Sequence, residues 1–191
     1  MNHEGLPRRT SADTEGPVAK VLSKLEATGQ DLTVLRLLAN SPTVFRPFVR
    51  LSSTLMYDGA LPEKVREVVI LWMGRNRPHS YEWIEHVLIA RRVGLSDEQI
   101  DAIERDDLDG DLFTDEQRLA VVVAAQLLGD HALPPETFEA AVDTWGLETF
   151  IELVMVVGWW GGTVPTFLEA MGLRRPDVCD LDVPEWMPEP D

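Results

Sequence analysis

"LPEKVREVVILWMGRNRPHSYEWIEHVLIARRVG" spans residues 61–94, and its reading decides the fold. Pro62-Glu63 has the form of a helix start. Val65, Val68, Val69, Leu71 and Trp72 then recur at helical spacing, predicting a helix that runs to about Gly74. Asn76-Arg77-Pro78 breaks the chain. A second helix is expected from about His79 to Val93, with Gly94 as its stop. A tight turn around Pro78 would set the two helices antiparallel.

The same pattern extends in both directions. Helical spacing of apolar residues covers 18–27 and 32–39. Ser41-Pro42 opens a helix to about Tyr57, ended by Asp58-Gly59. Ser96 through Gln99 and Thr114 through Gln117 are two capping boxes, the first for a short helix and the second for a long one reaching Leu128. Pro134-Pro135-Glu136 opens another to about Thr144. The last runs over about 147–171, with a kink expected near Pro165. No run alternates in the manner of a strand, so the class is all-α, about eight helices. The organisation read from this is a disordered polar arm over 1–16, a helical domain over 17–175 and an acidic, Pro-rich tail over 176–191.

Charge and composition narrow the partners. There are 17 Lys and Arg against 33 Asp and Glu, a net charge of -16. That field repels phosphate backbones and anionic lipid, so neither nucleic acid nor a membrane surface is an expected partner. The single cysteine, Cys179, has no thiol partner for an internal disulfide or redox pair. Residues 1–16 lack the apolar core of a signal peptide, and a cytoplasmic protein is expected. "FIELVMVVGWWGGTVPTFL" (150–168) holds Glu152, a Gly-rich centre and Pro165, which suits a core helix better than a membrane span. "LAVVVAAQLL" (119–128) and "FIELVMVV" (150–157) are apolar around most of their circumference. Burial on several sides is expected for such helices, part of it against another subunit, hence a homo-oligomer.

His79, Glu82 and His86 fall three and seven residues apart, which places all three on one helix face. Glu82 and His86 are also an i,i+4 pair within hydrogen-bonding reach. Glu85 falls to the side and is expected to face solvent. On the preceding helix, Glu67 lies near the edge of the apolar stripe, where desolvation would raise a carboxyl pKa. Plainer readings exist for each: His79 as an exposed first-turn residue, Glu82–His86 as a surface pair, Glu67 as an edge-of-core salt bridge to an arginine such as Arg91 or a neighbour's Arg66. His79 and His86 are about 10 Å apart along the axis, too far to share one ion, and no metal is expected.

These residues resemble the carboxymuconolactone decarboxylase family of the AhpD-like superfamily. The resemblance rests on Arg66-Glu67, Tyr81-Glu82-Trp83, His86 and Gly94-Leu95-Ser96, and extends through "FTDEQRLAVVVAAQLL" and "FIELVMVVGWW" over about residues 41–173. Relatives with peroxidase activity carry a glutamate and then Cys-x-x-Cys-x-x-x-His. Here Glu67 and His86 match the glutamate and histidine, while His79 and Glu82 stand at the two cysteine positions. Thiol peroxidase chemistry needs a thiolate, and both thiols are missing. The resemblance therefore implies the cysteine-free branch: an AhpD-like helical bundle in a ring-like oligomer, a trimer or hexamer with a dimer as the smaller option. It also implies cofactor-independent lyase or isomerase chemistry on a small cyclic or aromatic organic acid or lactone. His86, Glu82 and Glu67 are the expected acid/base groups. His79, Tyr81, Arg66 and Trp83 are expected to bind substrate, with Arg91 and Arg92 as further candidate cations and Trp72, Trp159 and Trp160 as candidate lining. A non-catalytic ligand-binding scaffold and a natural-product cyclase or dehydratase are the competing readings.

Overall fold

The computed structural model describes residues 6–28, 33–76 and 81–173. Among these residues it contains α-helices and two π-helical turns, and no strand. The helices are α1 (Gly16–Thr28), α2 (Thr33–Leu38), α3 (Pro42–Ser53), α4 (Glu63–Gly74), α5 (Tyr81–Arg92), α6 (Asp97–Glu104), α7 (Asp115–Asp130), α8 (Pro135–Gly158) and α9 (Val164–Ala170). The π turns are Thr54–Asp58, after α3, and Trp159–Thr163, between α8 and α9. The acidic tail over 176–191, the first five residues of the arm and His79 all lie outside the described residues.

The chain divides into two compact units. The first, residues 1–57 with 168–191, is built on α1–α3, where Leu22, Leu38 and Phe45 are buried. Residues 6–15 of the polar arm are irregular in path but held by hydrogen bonds. The backbone N–H of Arg9 donates to the Arg36 carbonyl at 3.0 Å. Asn40 donates through Nδ2 to the Pro7 carbonyl at 2.6 Å, and the Ser11 N–H donates to Glu26 Oε1 at 3.0 Å.

The second unit, residues 58–167, is organised around α4. This helix packs against α5, α6, α7, α8 and the second π turn. Accordingly every residue from Val65 through Leu71 is buried. A helix enclosed on all sides needs apolar residues around its whole circumference, and α4 supplies them except at Arg66 and Glu67. Trp72, placed by spacing on the buried stripe, is instead half-buried. Its Nε1 donates to Asp106 Oδ1 at 2.8 Å, and the Arg75 guanidinium lies 4.1 Å from its ring centroid. The helix has reached the rim of the unit by that turn, and a cation and a carboxylate replace apolar neighbours.

Helix ends follow local chemistry. Ser96 and Thr114 accept from the N–H groups of Gln99 and Gln117, whose side chains accept from the cap N–H groups in return, so both capping boxes form. α5 closes in a Schellman motif. Gly94 adopts φ +88°, its N–H donates to the Arg91 carbonyl, and the Leu95 N–H donates to the Ala90 carbonyl. α8 breaks at Gly146 (φ 77°, ψ 165°), which separates the two helices expected there. The interruption expected near Pro165 takes the form of the Trp159–Thr163 π turn. Proline has no N–H for the Gly161 carbonyl and its ring crowds that group, so widening the preceding turn accommodates it.

Pro135 to Ala170 is long and apolar enough to cross a bilayer by length and composition. Within the second unit, however, Leu153, Val156, Val157 and Trp160 of this run are buried.

Gly94→Ala places a Cβ in a left-handed conformation, with Lys64 Nζ 3.2 Å from the new atom. The expected cost is about 1 kcal/mol or somewhat more. A lower urea midpoint with an unchanged slope would report it; an unchanged midpoint would show that the terminus of α5 does not depend on glycine.

Candidate active site

Among the described residues, the buried acidic and basic side chains of the second unit are Arg66, Glu67 and His86. Glu67 has no solvent exposure and His86 has 5%. An isolated buried charge is costly, so each must be compensated by partners. Arg66 Nε donates to Glu67 Oε1 at 2.8 Å. His86 Nδ1 donates to the other carboxylate oxygen, Glu67 Oε2, at 2.7 Å. On the far side of the ring, His86 Nε2 lies 3.3 Å from Glu82 Oε1. The result is one line of alternating charge, Arg66–Glu67–His86–Glu82, in which both oxygens of Glu67 and both ring nitrogens of His86 are engaged.

The helices explain this placement. Arg66 and Glu67 sit in the first two turns of α4 and the histidine in the middle of α5, and the two helices pack together. The i,i+4 spacing on α5 then brings Glu82 under His86. The line runs from the interior outward, since the Glu82 side chain retains 12% exposure. Trp160, in the π turn, sets its indole edgewise to the imidazole, with centroids 5.7 Å apart and planes at 81°. The same turn is tightly enclosed: a Cβ on Gly161 would meet Met73 Sδ at 2.9 Å.

Burial by itself pulls the pKa of His86 down, because the charged ring loses water. The charge and hydrogen bond of Glu67, joined by the hydrogen bond and charge of Glu82, outweigh that effect and raise it to about 10. The imidazole is thus a persistent cation at neutral pH. Glu85 moves upward as well. Burial of its carboxyl is the main cause and Glu82's charge a smaller one, with the His86 charge acting in the opposite sense.

The expected site residues divide as follows. Glu67, His86, Glu82 and Arg66 come together. Tyr81 and Trp83 are buried on α5, and Trp83 packs toward Gly74 of α4: its Cε3 is 3.6 Å from where a Cβ on that glycine would lie. Arg91 is drawn away, its Nε donating to Asp97 Oδ1 at 2.8 Å near the surface, and Arg92 is exposed. Trp72 belongs to the Asp106–Arg75 cluster rather than the site. Glu85, expected in solvent, is half-buried beside Glu82 and His86. Spacing on one helix does not register the elements that pack over Glu85 from elsewhere in the unit. Among the described residues, no group of three or more His, Cys, Asp or Glu side chains is arranged to hold a metal ion.

The raised His86 pKa has a consequence for stability. The folded state holds this proton more tightly than the unfolded chain, whose histidine titrates near 6.5. The stabilisation is fully present below about pH 6.5 and is lost as pH rises through about 10. The melting temperature should therefore decline over that window, and His86→Gln should flatten the decline. Equal slopes for the two proteins would refute the coupling. Glu67→Gln removes the shared counter-charge of Arg66 and His86, and should cost about 3–5 kcal/mol in chemical denaturation.

Residues 42–124 match the sequence profile of the Carboxymuconolactone decarboxylase family. Among solved structures, the chain is similar to the alkylhydroperoxidase AhpD core protein of Ralstonia eutropha JMP134, described as an uncharacterized peroxidase-related protein. The TM-score is 0.73 at 19% identity, covering 88% of this chain and 90% of that one. No curated protein matches. The residues matched by the family profile, 42–124, hold Glu67, Glu82 and His86 and no cysteine, and the helices adopt the AhpD-like fold.

Proposed function

We propose that the protein is a cofactor-independent lyase or isomerase that moves protons on a small cyclic carbonyl compound through His86 and Glu82, with Glu67 and Arg66 holding the imidazole in place. The observation that carries this reading is the double anchoring of a buried imidazole, Nδ1 on Glu67 at 2.7 Å and Nε2 beside Glu82 at 3.3 Å. A surface Glu–His pair would have neither the burial nor the second carboxylate. A core ion pair would have no reason to lead to the partly exposed Glu82.

The chemistry follows from the charges. An imidazolium with a pKa of about 10 is a weak proton donor at neutral pH but a durable positive charge. It suits stabilisation of negative charge that develops on an enolate oxygen, and it can surrender its proton to a carbanion, which is far more basic than water. Glu82 is the neighbouring carboxylate able to take a proton from carbon. In an isomerisation, the C–H bond next to a carbonyl breaks and the proton passes to Glu82. The electron pair spreads onto the carbonyl oxygen, and the proton returns at a different carbon. In a decarboxylation, the bond to the carboxylate carbon breaks, CO2 leaves, and the remaining carbon takes a proton from His86, which regains one from solvent. Neither route requires an oxidant. Thiol peroxidase chemistry would require a thiolate, and the matched region offers none.

The homo-oligomer is part of the same reading. On α8, Leu147, Ile151 and Met155 recur every fourth residue and are exposed, while Glu152 between them turns inward to accept the Leu61 N–H at 2.8 Å. An exposed apolar stripe of this kind is where a second copy can bury surface against the first. Sedimentation should give a mass above one chain for the wild type and a smaller mass for Ile151→Glu; a monomeric wild type would contradict the assembly.

The catalytic reading is tested in D2O with carboxymuconolactone and with a β,γ-unsaturated butenolide lacking the carboxyl group. NMR should detect deuterium entering the ring of one or both. His86→Gln, checked for folding by circular dichroism, should slow this about 10²–10⁴-fold. A wild-type protein that labels neither lactone, or a variant as fast as wild type, would defeat the proposal.

A further inference from the structure

Charge is unevenly distributed along the chain. The described residues within 6–57 hold seven Lys and Arg against three Asp and Glu, in a sequence whose totals are 17 and 33. Part of this basic surplus lies on the outer face of α3. Arg46 and Arg50 are both exposed and stand one turn apart, an i,i+4 pair of like charges that disfavours the helix on its own. Tyr57, 72% exposed, lies about two turns beyond Arg50 in the π turn that continues α3. The inner face of the helix is occupied by packing, since it buries Phe45 and Phe48.

We propose that the outer face of α3 is the docking surface for the chain's own acidic C-terminal tail, residues 176–191, with Asp180 and Asp182 on Arg46 and Arg50 and Trp186 against Tyr57. The tail carries six acidic residues and no Lys or Arg. Residues 168–173 belong with α1–α3 to the first unit, and Leu173, where the described chain ends, is buried. The tail therefore leaves from the unit that carries the basic face. Extended at about 3.3 Å per residue, residues 174–191 reach well beyond the roughly 18 Å length of α3. Pro176, Pro184, Pro188 and Pro190 favour extended backbone over helix throughout this segment.

The spacings correspond. Asp180 and Asp182 are two residues apart, and alternate side chains of an extended segment point the same way at intervals of about 6.6 Å. Arg46 and Arg50 are separated by about 6 Å along the helix axis. With the tail running parallel to α3, Asp182 to Trp186 adds about 13 Å of extended chain, against about 10 Å from Arg50 to Tyr57. Single exposed ion pairs contribute little. A tethered segment, however, meets its surface at an effective concentration in the millimolar range, so several weak contacts act together. A free anion has no such advantage, and a phosphate polymer is repelled by the net charge of -16.

Cys179, the single cysteine, adjoins Asp180 and lets a nitroxide be attached to the otherwise unaltered full-length protein. Methyl NMR signals of Val44 and Val49 in α3 are read with Val122 of α7 as reference. The nitroxide should attenuate Val44 and Val49 more than Val122. This attenuation should be lost in Arg46→Glu/Arg50→Glu, and should fade in about 1 M salt, where the screening length is about 3 Å. Adding Asp180→Arg/Asp182→Arg to that variant should restore it, a result that misfolding would not give. Attenuation that persists unchanged after the reversal of Arg46 and Arg50, or that falls mainly outside α3, would overturn the proposal. So would equal attenuation in isotope-labelled, unmodified protein mixed with the spin-labelled protein, since the tail would then be docking on a second copy.

Discussion

A carboxylate with no access to water, Glu67, is the constraint on which the rest of the second unit depends. Its charge is tolerable only while both oxygens are bonded to positive groups, and Arg66 and His86 supply them. This requirement fixes the rotation of α4, because Glu67 must face α5. It also fixes α5, because His86 must present Nδ1 rather than Nε2 to the carboxylate. Polar satisfaction thus accomplishes what apolar packing alone does not: it selects one register between two helices that are otherwise held by interchangeable Val, Ile and Leu contacts.

In the proposed function, the same bond also sets the chemistry. On the proposed reading, Nδ1 stays committed to Glu67 at 2.7 Å and the longer Nε2–Glu82 contact at 3.3 Å is the one a substrate would open. The matched residues 42–124 hold no cysteine, and the His86 ring faces a carboxylate on each side. A histidine held near a pKa of 10 is matched to strongly basic intermediates such as carbanions and enolates. The Trp160 edge adds a further constraint. It reaches the ring only because the Trp159–Thr163 π turn widens the helix immediately before Pro165.

Much of this was legible in the sequence. The capping boxes at Ser96 and Thr114 and the stop at Gly94 have local causes, so local sequence suffices to place them. Glu67, Glu82 and His86 could be brought together because helix periodicity and the packing of neighbouring helices α4 and α5 are enough to do it. Three features were not legible, for reasons that lie in tertiary packing. Trp72 shares the spacing of a core residue, and only the nearness of Asp106 and Arg75 draws it to the rim. Glu85 reads as a solvent-facing residue on an isolated helix, and only enclosure by the surrounding elements half-buries it. Trp160 could be named as candidate lining, but its edgewise contact with His86 spans more than 70 residues of sequence and no local periodicity announces it.

The most direct measurement is an NMR titration of the His86 imidazole in the wild-type protein, with both ring nitrogens followed by ¹⁵N shifts. The account requires an imidazolium that persists through neutral pH and loses its proton only near pH 10, with the Nδ1 proton held in a strong hydrogen bond. A ring that titrates near 6.5, as a free histidine does, would show that Glu67 does not hold it, and the proposed mechanism would have no foundation.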